Sequence, residues 1–192
     1  PDVELVMVPP GSPIPSNAAL IVIPGSKATI ADMAVLRDQG WDIDILAHHR
    51  RGGAVLGICA GYQMLGRSIA DPLGIEGAPA TIAGLGLLGG ETILSARKTL
   101  RHVTGEAFSA RFEGYEMHMG KTTRMLADAP FAVLADGTLD GVVSEDRRVM
   151  GTYCHGLLGS GDLRRAVLHR LGARSDAVDH GVVVEAALEE LA

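Results

Sequence analysis

Two short aliphatic runs constrain this chain more than any other feature. "ALIVIP" (residues 19–24) and "GAVLGI" (residues 53–58) are each continuous, rich in β-branched residues and succeeded at once by a glycine-containing turn. A run of that length with no polar alternation is the mark of a strand buried on both faces, as in a parallel sheet. Beyond each run the apolar residues take up helical spacing. Ile30, Met33, Ala34 and Leu36 recur along 29–39, and Gly40 is a natural stop; 42–51 continues as a second helix, and "AGYQMLGRSI" (60–69) reads as a third. Strands alternating with helices predict an α/β fold: a single domain over 1–192 with a mainly parallel central sheet flanked by helices. "VELVMV" (3–8) reads as a further strand, while the prolines of "PPGSPIPSN" (9–17) exclude helix and central strand there. The middle, 71–125, suggests short strands that pair at an edge. After 130, "FAVL", "DGVVSED" and "VMGTYCHGLL" read as strands, and 160–172 and 176–191 as closing helices, with Ser160 and Asp162 as N-cap candidates for the first.

In sheets of this kind ligands gather at the C-terminal ends of the strands, and three such ends carry unusual residues. "GICAG" (57–61) fits G-x-C-x-G, the cysteine form of a nucleophile elbow: a sharp strand-to-helix turn needs glycine on both sides because neighbouring backbone comes close. It would lift Cys59 out of the sheet at a helix N-terminus, whose positive end favours thiolate, and aim the Ala60 amide at a developing oxyanion. A buried structural cysteine in a glycine-rich turn is the competing reading. "CHG" (154–156) offers His155 as the base that takes the thiol proton. "IPGSKAT" (23–29) offers Gly25 and Ser26 as a second oxyanion donor. A nucleophile, a base and two backbone donors collected in one crevice fit acyl transfer through a thioester.

Composition narrows the class. Among 192 residues only two are cysteines, Cys59 and Cys154, which is no disulfide framework and makes a reducing cytoplasm the expected location. The net charge of −6 argues against nucleic acid as the main partner. No apolar run reaches the ~18 residues of a membrane span and no signal peptide is visible, so no membrane partner is expected. No metal site is indicated: Cys154 and His155 are adjacent, and the further ligands a metal needs are not apparent. Cys154 is expected to pack inward. The chain opens without Met, almost at once in a strand-like run, as a domain cut from a longer protein, or a processed or engineered start, would.

Gly57, Cys59, Gly61 and Gln63 together resemble the G-x-C-x-G-x-Q string of class I glutamine amidotransferases, whose fold is flavodoxin-like. More narrowly, "IPGSKATIADMAVLRDQGW", "GICAGYQMLG", "GYEMHMGKT" and "TYCHGLL" are similar, in order and spacing, to the C-terminal glutaminase domain of the cobyric acid synthase family. That resemblance implies a reaction. Cys59 attacks the side-chain amide of glutamine, His155 shuttles the proton, and Gln63 contacts the substrate. The ammonia then amidates corrin-ring carboxylates of adenosylcobyrinic acid a,c-diamide in a synthetase domain during cobalamin biosynthesis. No cofactor is implied for the glutaminase domain itself; ATP and Mg belong to the N-terminal synthetase domain, of which this chain shows no nucleotide-binding G-x-x-x-x-G-K-[ST] string. Many class I enzymes carry a glutamate two residues after the histidine to orient it. Here that position is Leu157, and Glu116 or Asp162 are the candidates to replace it. Glu116 and His118 alternate onto one face of a strand, a face suited to line the ammonia exit or the domain interface, or else to be solvated. The rival readings are a glutaminase subunit feeding a cell-wall muropeptide ligase and a non-catalytic docking or redox-sensor module of the same fold.

Overall fold

The computed structural model describes residues 3–124, 128–174 and 178–189. Its centre is a four-stranded sheet in the order β1 (Leu20–Ile23), β2 (Ala54–Ile58), β10 (Val149–Thr152), β9 (Val142–Val143). The first three are parallel, in the register Ile23↔Gly57 and Ile58↔Thr152, and β9 is antiparallel. Helices α1 (Thr29–Asp38), α2 (Trp41–Arg50) and α3 (Ala60–Leu65) cover one face. The other face meets a second, seven-stranded sheet, in which β3 (Ser68–Asp71), β4 (Ala80–Ala83), β5 (Glu91–Ala107), β6 (Ala110–Thr122) and β11 (Cys154–His155) form the main path and β7 (Ala132–Leu134) and β8 (Leu139–Asp140) branch from β5. Helix α4 (Gly161–Arg170) packs beside it, and α5 (His180–Glu189) comes last, with no buried residue.

Side-chain alternation along β2 explains the layering. Val55 turns to a core with Met33, Ile45 and Leu65, whereas Leu56 turns to a second core with Val103, Phe112 and Leu163. Both are fully buried, and each such aliphatic side chain contributes about 2 kcal/mol of transfer free energy. The uninterrupted run therefore reflects two faces in need of cover, as expected of a parallel strand.

The α/β architecture agrees with the sequence reading, with four differences in detail. Parallel pairing is confined to the central strands and β3 with β5; the rest of the second sheet is antiparallel. The middle of the chain forms the two longest strands of the fold, not short edge pieces. They are joined at Phe108 (φ 52°) and Ser109 (φ 61°), a two-residue turn with both central residues left-handed and neither of them glycine. The third helix stops at Leu65, because Gly66 is extended and lies so close to Gly90 that a Cβ would stand 2.7 Å from its carbonyl oxygen. Residues 3–8 form no strand, and Leu5 and Met7 are more than 80% exposed: strand composition has no ladder partner there.

Ser160 caps α4, accepting the Leu163 N–H at 3.3 Å, and Asp162 lies in the first turn.

Candidate active site

Both glycines around Cys59 are required by contact. A Cβ on Gly61 would stand 2.0 Å from the Ile23 carbonyl oxygen, and one on Gly57 2.6 Å from the Gly61 backbone. The helix thus starts in van der Waals contact with the two strands, and the chain can turn into it only through a strained residue. That residue is Cys59, with φ 55° and ψ −111°, a left-handed conformation that a side-chain-bearing residue adopts at a cost of about 1–3 kcal/mol. Its amide donates to the Thr152 carbonyl at 2.8 Å, tying the elbow to β10.

The same tie brings in the histidine. β10 ends at Thr152 beside Ile58, and within three residues the chain crosses from the central sheet to the second one, where Cys154 pairs with Glu116 and His155 with Tyr115. Buried Asp140 holds this crossing: it accepts hydrogen bonds from the Thr152 hydroxyl and, at 3.1 Å, from the Tyr153 amide. Thr152 Oγ1 in turn accepts the Cys154 amide at 3.0 Å. His155 therefore arrives over the elbow. A Cβ built on Gly25 would lie 2.8 Å from His155 Cε1 and 3.4 Å from Cys59 Cβ, so Gly25, Cys59 and His155 meet at one point. His155 Nε2 is buried without a hydrogen-bond partner.

At rest the Cys59 thiol donates to the Met117 carbonyl at 3.4 Å. Burial pushes its pKa up; the Ala60 amide, which reaches the sulfur, acts in the opposite direction, and the nearby Glu76 carboxylate adds to the rise. The expectation of a thiolate favoured by the helix N-terminus is thus corrected. Burial outweighs the Ala60 amide at the start of this short helix, so the thiol calls for a base at the moment of attack.

The other predicted residues separate. Ala60 lies at the start of α3 with its amide at the sulfur. The Ser26 hydroxyl is turned away to Asp32 and accepts the Ala28 amide at 2.9 Å, shaping the entry to α1. Gln63 is 2% exposed, and its amide is held by the protein itself: Oε1 accepts from Thr29 Oγ1 at 3.0 Å, and Nε2 donates to the Met119 carbonyl at 3.0 Å and to Tyr153 Oη at 3.3 Å. It braces α1, α3 and β6 beneath the crevice. Glu116 is buried against Arg101, which also holds Asp136 at 2.6 Å. Asp162 is exposed and pairs with Arg165. Neither carboxylate is bonded to His155 among the described residues. Cys154 is fully buried, as expected, although beside carboxylates rather than in apolar surroundings: burial and Asp140 both push its thiol pKa up. Glu116, Asp140 and Cys154 bring ligand-type atoms within 4.8 Å of one another, but both carboxylates are already engaged by protein donors. The face bearing Glu116 and His118 points inward, where His118 stacks on Tyr153 with centroids 3.8 Å apart.

Sequence reasoning missed Asp140, Thr29 and Tyr115, which act through tertiary partners. Glu76 is a fourth such residue: its carboxylate accepts the Ile30 amide at 2.9 Å at the head of α1, within electrostatic reach of Cys59.

The sequence model of the CobB/CobQ-like glutamine amidotransferase domain matches residues 1–163. The chain belongs to this glutamine amidotransferase family. Over its full length this amidotransferase domain is 62% identical to a protein named cobyric acid synthase in Rhizorhabdus wittichii, and over 190 residues it is 59% identical to one of the same name in Novosphingobium aromaticivorans. It spans 40% and 39% of those two proteins. The fold is that of solved amidotransferase structures. A crystal structure of a glutamine amidotransferase superposes with a TM-score of 0.57 at 20% identity, covering 81% of this chain and 80% of the other. The structure of PurLQS from Thermotoga maritima superposes with a TM-score of 0.53 at 19% identity, covering 91% and 80%.

Proposed function

We propose that this amidotransferase domain is the glutaminase part of a cobyric acid synthase. The observation that carries the chemistry is the meeting of Cys59, on its positive-φ elbow, with His155 across Gly25. The His155 imidazole, whose Nδ1 and Cε1 edge lies at the point shared by Gly25 and Cys59, takes the thiol proton as sulfur attacks the side-chain amide carbon of glutamine. The oxygen of the tetrahedral intermediate draws on the amides of Ala60 and Gly25. The C–N bond breaks as His155 returns the proton to nitrogen, and ammonia leaves. His155 then takes a proton from water, which attacks the thioester; glutamate leaves and the thiol is restored. Gln63, Thr29 and Tyr153 hold the crevice in shape, and Ser26 fixes the loop that carries Gly25.

The names and 62% identity of the relatives support the corrinoid branch over the muropeptide one. In this reading the ammonia passes to an ATP- and Mg-dependent synthetase part, which amidates corrin-ring carboxylates of adenosylcobyrinic acid a,c-diamide. The setting is the cytoplasm; no helix among the described residues is long and apolar enough to cross a membrane. The test is glutamate release from glutamine, with and without the synthetase part, its corrinoid and ATP-Mg. Release that needs Cys59 and rises with the corrinoid supports the proposal. Release stimulated instead by a muropeptide ligase, or none in any mixture of folded proteins, overturns it.

A further inference from the structure

A base that shuttles a proton between sulfur, nitrogen and water must keep its ring plane fixed while its charge changes. In a catalytic triad a carboxylate does this by bonding the second ring nitrogen. Among the described residues His155 Nε2 is buried without a hydrogen-bond partner, and the two carboxylates nearest in expectation, Glu116 and Asp162, are held by Arg101 and Arg165.

What the ring does have is an aromatic face. Tyr115 lies parallel to it, with 7° between the planes and 5.0 Å between centroids, an offset stack. The contact is built into the backbone: His155 and Tyr115 are direct partners in the antiparallel pairing of β11 with β6, so their side chains leave adjacent strands on the same side. The neighbouring residues clear the space. A Cβ on Gly114 would stand 2.2 Å from the His155 carbonyl oxygen, so the strands approach this closely only because that position is glycine. Gly156, at φ 73°, presents its bare Cα to the Tyr115 ring, whose atoms would lie 3.7 Å from a Cβ there. Gly25 bounds the ring on its Cε1 edge. The imidazole is thus held by one face and one edge, with Nε2 buried and unpaired.

We infer that Tyr115 is a positioning residue that sets the plane of His155 by stacking, in the role an orienting carboxylate fills elsewhere. This rests on the reading of His155 as the base. The aromatic face also suits the task electrostatically, because it attracts the imidazolium formed when the thiol proton moves, without the cost of burying a second charge. Tyr115 is 41% exposed, so its replacement leaves the core intact.

The test compares Tyr115→Leu and Tyr115→Phe in the same chain, by glutamine kinetics and by the His155 Cε1–H proton resonance, identified by its loss in His155→Ala. Tyr115→Leu is expected to lower kcat by roughly tenfold to a hundredfold, with KM and melting temperature unchanged. The His155 resonance should move as the ring current is lost. Tyr115→Phe, which keeps the ring, should retain most of the rate and the resonance position. An unmoved resonance in Tyr115→Leu, an unchanged kcat, or a Phe variant as slow as Leu overturns the inference. If the unaltered chain releases no glutamate, the glutaminase reading fails, and the resonance still decides whether the stack positions the ring.

Discussion

Gly25→Ala isolates the geometry on which the chemistry depends. The added Cβ would lie 2.8 Å from His155 Cε1 and 3.4 Å from Cys59 Cβ, between the base and the elbow. To regain an ordinary separation from Cε1 the ring must retreat by roughly 0.6 Å, and the stack on Tyr115 limits where it can go. Misplacement of a reacting group by about 1 Å costs on the order of a hundredfold in rate, so kcat should fall between about tenfold and a hundredfold. Stability should hold: Gly25 is exposed and its φ is not left-handed, which keeps the expected change within about 0.5 kcal/mol. The assay is glutamate release under saturating glutamine, alongside thermal melting. A variant with unaltered kcat would refute the reasoning, since a methyl group cannot occupy that point while His155 and Cys59 keep the places described.

Gln63→Leu should lower stability by about 3 kcal/mol in a denaturant titration, because Thr29, Tyr153 and the Met119 carbonyl lose buried partners. Unchanged stability with a raised KM would instead assign that amide to the substrate. The Cys59 thiol, pushed up by burial, should be alkylated by iodoacetamide in a His155→Ala chain at a rate that climbs steadily from about pH 6 to about pH 9; a plateau near neutrality would contradict the assigned direction. The sign carries over to stability. The folded state holds this proton more tightly than the unfolded chain, so the contribution is complete below the unfolded thiol value and is lost as pH rises through the folded one.

Features carried by local backbone chemistry were legible in the sequence. The Gly-Ile-Cys-Ala-Gly stretch announces its turn because the close contacts that demand glycine are made within a few residues of the elbow or by the adjacent strand. β2 was legible because burial on both faces leaves no polar residue in the run, and β1 by the same aliphatic composition, although Val22 on its second face is 40% exposed. The long β5–β6 hairpin was not, since β5 carries exposed residues on both faces through Ala96–Lys98 and turns at Phe108 and Ser109, where no glycine or asparagine marks the site. The strand-like composition of 3–8 was misleading because pairing is a property of neighbours rather than of the segment. Tyr115 and Asp140 were silent for a related reason: one matters through a cross-strand register and the other through a change of sheet, and neither leaves a spacing in the chain. The thiol illustrates competing magnitudes, with a favourable helix end outweighed by burial.

The central claim is that Cys59 is a nucleophile addressed by glutamine. The most direct test is mass spectrometry of the chain after treatment with a diazoketone analogue of glutamine, with and without excess glutamine. The account predicts a single covalent adduct on Cys59, suppressed by glutamine and absent in His155→Ala at neutral pH. An adduct on Cys154, or modification of Cys59 that glutamine does not suppress, would contradict it.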